Sequence, residues 1–110
     1  MPDKSSDVVP ETLDMLVLKT LALEPMHGYG ISVRIEQTSK GVFRLNAGSL
    51  FLAIQRLQRD GFVEGEWRAT ENNRPAQYDV LTRKGRQRLS SETREWSRQA
   101  AASARILEAS

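Results

Sequence analysis

Residues 46–61, NAGSLFLAIQRLQRDG, decide how this chain is read. Leu50, Ile54 and Leu57 recur at i, i+4 and i+7 with Ala53 beside them, the spacing of one buried helical face. Asn46 stands at the N-cap position, where its side chain can accept from the amide of Gly48 or Ser49. Gly61 supplies the stop. The opposite face carries Ser49, Phe51, Leu52, Gln55, Arg56 and Arg59, a mixture of basic, amide and apolar groups. A helix of about 11 to 13 residues fits the DNA major groove, whose base edges carry a distinct donor and acceptor pattern.

Downstream, Phe62–Trp67 and Gln77–Thr82 read as two strands separated by the polar stretch 68–76, a hairpin with a long, basic-tipped loop. Thr82 can cap a final helix from Arg83 to about Leu107. Along it Leu89, Thr93, Trp96, Ala100, Ser103 and Leu107 alternate in spacing between four and three, a coiled-coil-like seam of small residues around one indole. Upstream, Val42–Leu45 is a short extended segment. A shorter helix opens at His27-Gly28-Tyr29-Gly30, runs to about Ser39 on Ile31, Val33 and Ile35, and stops at Lys40-Gly41. The first helix begins near Pro10 to Thr12. Leu13, Leu16, Val17 and Leu21, with Met15 and Leu18, make its apolar surface so broad that one stripe can face the core and another a partner subunit. Glu24-Pro25 closes it, because the residue before proline is driven out of helical geometry.

The expected fold is therefore mainly α with a small β-hairpin, in the order of a winged helix-turn-helix. Residues 1–9 form a flexible polar leader, 10–82 the DNA-binding domain, and 83–110 a C-terminal dimerisation helix. A length of 110 residues suits one domain, and a 39% hydrophobic content supports only a modest core, which favours a subunit partner. The absence of cysteine excludes disulfides, thiolate metal sites and thiol nucleophiles, and the lone His27 excludes a multi-histidine metal site. No apolar run approaches membrane-spanning length, so no membrane partner is expected and the default compartment is the cytoplasm. No nucleophile–base pair stands out, so an enzyme is not expected, nor is a cofactor. The net charge of +2 says little, but residues 44–88 hold nine Arg/Lys against five Asp/Glu, so the basic excess sits mid-chain.

These features point to double-stranded DNA as the partner. Ser49, Phe51, Leu52, Gln55, Arg56 and Arg59 form the reading face, with Phe51 and Leu52 suited to thymine methyls, and Arg56→Ala and Arg59→Ala are each expected to weaken binding. Asn73 and Arg74, beside Asn72, place the hairpin tip against the backbone or in the minor groove, and Arg83, Lys84, Arg86 and Arg88 add phosphate contacts. The competing reading is a winged helix that binds another protein, its basic surface incidental. For a homodimer, Leu13 and Val17 of the first helix and Leu89, Trp96, Ala100 and Leu107 of the last form the dimer or ligand interface. Trp96 either fills that interface or, repeated by a two-fold axis, sandwiches a planar apolar effector. His27 reads as a helix-start or packing residue. Gly28 and Gly30 read as sites of close backbone approach.

The chain also resembles the PadR family of bacterial transcription regulators. The resemblance lies in TLDMLVLKTLALEPMHGYGI (12–31), GSLFLAIQRLQRDGFVEGEW (48–67) and ENNRPAQYDVLTRKGRQRL (71–89), and spans roughly residues 11–108. The short tail resembles the family's smaller branch, with a single C-terminal helix. The resemblance implies a homodimer in which that helix packs against the first helix of the other subunit, and a repressor that leaves its palindromic operator when a small molecule binds. Two departures stand out. Phe51-Leu52 replaces a usual Tyr-Pro, removing a hydroxyl. Gln77-Tyr78-Asp79 stands where relatives often carry Lys before a Tyr pair, which removes a positive charge from the wing surface, adds a negative one at Asp79 and implies weaker wing contacts.

Overall fold

A computed structural model describes residues 10–110; the expected leader, 1–9, lies outside the described residues. The chain forms α1 (Pro10–Leu23), α2 (Gly28–Thr38), α3 (Ala47–Arg59), strands β1 (Val63–Ala69) and β2 (Pro75–Leu81), and α4 (Arg83–Glu108). Four helices and one antiparallel hairpin make the winged helix-turn-helix anticipated from residue order.

The starts of α2, α3 and α4 are written in their caps. His27 Nδ1 accepts from the Gly30 amide, Asn46 Oδ1 from Ser49, and Thr82 Oγ1 from Gly85. The core is one cluster. Leu13, Val17, Leu18 and Leu21 of α1 meet Ile31 and Ile35 of α2 and Leu50, Ala53, Ile54 and Leu57 of α3, and Val63 and Leu81 close the side toward the hairpin. At roughly 1.5–3 kcal/mol per buried aliphatic side chain, this cluster is the main force holding the three helices.

The hairpin differs from its expected extent. Its strands reach Ala69 and Pro75, pairing Val63 with Leu81 through to Ala69 with Pro75, so the loop shrinks to residues 70–74. Pro75 sits at the last rung, where its missing amide costs least. The turn closes through Thr70, whose amide and hydroxyl both donate to the Arg74 carbonyl (3.1 and 2.8 Å), with Asn73 at φ 58°. Asparagine is among the few residues that take this left-handed conformation readily.

A close backbone approach occurs, but at Gly85. A Cβ there would run into the Phe62 carbonyl and lie 2.6 Å from Leu81 Cδ1, so this glycine lets the root of α4 press against the base of the hairpin. At Gly28 and Gly30 the nearest atoms to a Cβ would be 3.8 and 3.5 Å away, which is ordinary contact, so neither position needs glycine for space. No helix of the described residues is long and apolar enough to cross a membrane.

Candidate nucleic-acid interface

Helix α3 turns Leu50, Ala53, Ile54 and Leu57 inward, which fixes what faces out. Leu52, Gln55 and Arg59 lie directly opposite, on one exposed stripe, with Gly48 a turn earlier. Phe51 stands to one side, 60% exposed, at the edge of an apolar cleft between α2 and α3. That cleft, about 380 Å³, is also lined by Tyr29, Ser32 and Ala47. Ser49 is exposed in the first turn, where its amide is taken by the Asn46 cap.

Arg56 is placed otherwise than expected. Its guanidinium donates to Asp14 Oδ1 of α1 at 2.9 Å, both side chains about one-third exposed. The pair ties α3 to α1, on the flank of α3 and off its outermost stripe. Burial pushes the Asp14 carboxyl above its ordinary value, and the Arg56 pairing only partly offsets that. On the other flank Gln58 Nε2 donates to Asp79 Oδ1 at 2.9 Å. Asp79 also exchanges backbone hydrogen bonds with Met26, joining the hairpin, α3 and the α1–α2 linker. Its carboxyl is buried and pushed upward by desolvation, opposed by the Gln58 bond. The negative charge expected on the wing surface therefore points inward.

The hairpin tip projects Asn73 and Arg74, both exposed. Trp67 on β1 is 69% exposed, so it belongs to the surface of the wing and not to the core. Arg68 lies 5.8 Å from the Tyr78 ring centre and pairs with Glu66 at 3.4 Å. At the start of α4 the basic residues divide. Lys84 donates to the Asp60 carbonyl at 2.8 Å and lies over Phe62, which Arg88 also faces while pairing with Glu92. Arg83 and Arg86, like Arg74, take part in no salt bridge among the described residues.

Tyr29 was not singled out from sequence as a surface group. At 77% exposure in the first turn of α2, beside the start of α3, it offers a phenol on the same side as Phe51. The signal was the capping of α2 by His27, which sets Tyr29 in the first turn on the helix's outer side. His27 itself packs edge-on against Tyr78, ring centres 5.7 Å apart, in the helix-start and packing role expected of it.

The residues assigned to a dimer or ligand interface separate sharply. Leu13 and Val17, 3% and 0% exposed, are spent in the chain's own core and have no surface left for a partner. Leu89 packs partly on that core. Trp96 lines a groove of about 260 Å³ between α1 and α4, with Glu11, Thr12, Met15, Glu92, Glu95 and Gln99. Hydrogen bonds from Arg98 and Gln99 hold the Glu95 carboxyl below its ordinary value. Ala100 and Leu107 are fully on the surface, as is Ile106.

Comparison with known proteins agrees with this geometry. The family model described as "Transcriptional regulator PadR-like family" matches residues 17–91. A transcriptional regulator from Clostridium thermocellum superposes with a TM-score of 0.81 at 20% identity, covering 91% of this chain and 97% of that one. A PadR-like transcriptional regulator from Bacillus cereus gives 0.80 at 20% identity over 90% and 94% of the two chains. A PadR family transcriptional regulator from Eggerthella lenta gives 0.77 at 26% identity over 90% and 84%.

Proposed function

The chain belongs to the PadR-like transcriptional regulator family, a family of DNA-binding regulators and not of enzymes, and from that premise we propose that it is a sequence-specific repressor acting as a homodimer in the cytoplasm. The observation that carries the reading is the outer stripe of α3. Leu52, Gln55 and Arg59 stand together in the open on a helix whose other face is locked into the core, flanked by Phe51 and Ser49. The wing tip, with Asn73 and Arg74, and the start of α4, with Arg83 and Arg86, supply charge for phosphates. Arg56 acts indirectly, by holding α3 to α1.

In the proposed dimer the exposed half of α4, with Ala100, Ile106 and Leu107, packs against a second copy. The two α3 helices then meet successive major grooves of a palindromic operator, about 34–36 Å apart. In this reading a small planar or hydrophobic effector would stack on Trp96, in the groove between α1 and α4. The groove is built from α1, and α1 also carries Asp14, the partner of Arg56, so a ligand that shifts α1 moves the reading helix with it. A coupling of about 1–3 kcal/mol suffices for a five- to 150-fold change in operator affinity.

Fluorescence anisotropy tests the reading, with DNA from upstream of the chain's own gene against a random duplex of equal length, at several salt concentrations. Tight, salt-dependent preference for the upstream DNA is expected. Absence of binding to either duplex at low salt contradicts the proposal and favours a protein partner.

A further inference from the structure

We infer that α3 reads an A·T core in its half-site through Gln55 and Leu52, and that no guanine is read from the middle of the helix. The inference rests on the DNA-binding reading above and goes beyond it by naming the bases. Guanine is read best by a guanidinium or ammonium set on O6 and N7, adenine by a carboxamide on N6 and N7, and thymine by apolar contact with its methyl group. The outer stripe of α3 offers these chemistries unequally.

Arg56 is the one cation in the central turns, and it is turned to the flank and held by Asp14 at 2.9 Å. Arg59 lies in the last turn with its Nε 3.3 Å from Asp60. Recognition helices meet base edges through their N-terminal residues, so Arg59 falls where the phosphate backbone runs. On the outermost stripe of α3, between Phe51 and Ser49 on its flanks, what remains is an amide, Gln55, and an aliphatic side chain, Leu52, 56% exposed. One turn earlier Gly48 carries no side chain, and a Cβ there would touch nothing beyond Asn46 Oδ1, so the front of α3 can sit deep in the groove. Water gains nothing from Leu52, whereas a thymine methyl covers it. Gln55, one turn along on the same stripe, then lies over a neighbouring pair, where adenine presents the donor and acceptor that a carboxamide matches.

Selecting bound duplexes from a pool randomised within the half-site tests the inference, using the unaltered chain, Gln55→Ala and Leu52→Ala. The unaltered chain should enrich A·T pairs under α3. Gln55→Ala should lose that preference by roughly five- to 150-fold. Replacing thymine by deoxyuridine in the selected duplex deletes only the methyl, and should weaken the unaltered chain while leaving Leu52→Ala unchanged. Both side chains are exposed, so thermal melting of the variants should match the parent. A G·C core, or an A·T preference that survives Gln55→Ala, overturns the base assignment and leaves DNA binding standing. If the unaltered chain retains no duplex at low salt, both readings fall together.

Discussion

Helices α1 and α4 lie against each other, yet they use their residues in opposite ways. Of fourteen residues, α1 sinks Leu13, Val17, Leu18, Thr20 and Leu21 into the core; of twenty-six, α4 fully buries Gly85 alone. The three-helix unit is thus closed by its own side chains. Helix α4, about 39 Å long at 1.5 Å per residue, runs past that unit and carries Ile106 and Leu107 into solvent at 76% and 85% exposure. In the proposed dimer these side chains are covered by the second copy. Folding and assembly of that dimer thus fall to different helices, with α1 as the link between them.

Breaking the α4 side should give the largest effect. Ile106→Glu with Leu107→Glu removes four apolar side chains from the proposed two-fold interface, each contributing about 1.5–3 kcal/mol when buried. Sedimentation velocity should show loss of the dimer at micromolar concentration with helix content retained. Gly85→Val strikes the root of the same helix. The Phe62 carbonyl cannot yield as a flexible side chain would, so unfolding in urea should show a loss of about 2–3 kcal/mol.

On the α1 side, Asp14→Ala breaks the pair with Arg56. The pair is partly exposed, so the loss should be about 1 kcal/mol or less, read as a few degrees in Tm. Operator affinity should fall in parallel, because the variant loosens α3 without touching its outer face. The smallest effect concerns pH. Asp79 binds its proton more tightly folded than unfolded, so it supports folding below the ordinary carboxylate range and loses that support as pH rises through its raised value. Asp79→Asn keeps an oxygen for Gln58, so it should raise Tm slightly at neutral pH and remove the decline in stability between the ordinary carboxylate range and the raised value of Asp79.

Local chemistry was legible in advance, and pairings distant in sequence were not. The caps at Asn46 and Thr82, the break at Glu24-Pro25 and the buried stripe of α3 depend on neighbours within four residues, and they stand as the spacing predicts. Arg56 meets Asp14 across 42 residues, so nothing in the α3 pattern could reveal that its charge was taken. The broad apolar surface of α1 left open which leucines and valines face the core, and packing chose Leu13 and Val17. Polar residues at the hairpin tip hid two further ladder pairs, Arg68 with Ala76 and Ala69 with Pro75. Asp79 read as wing surface because its inward turn depends on Gln58 and Met26, on two other segments.

The division of labour between α1 and α4 is tested most directly by the mass of the unaltered chain in solution. Sedimentation equilibrium at micromolar concentration should give about twice the 12.4 kDa of one chain, falling to one chain when Ile106 and Leu107 are both changed to Glu. A stable monomer of unaltered sequence, with α4 fully helical and no dependence on concentration, would contradict the account.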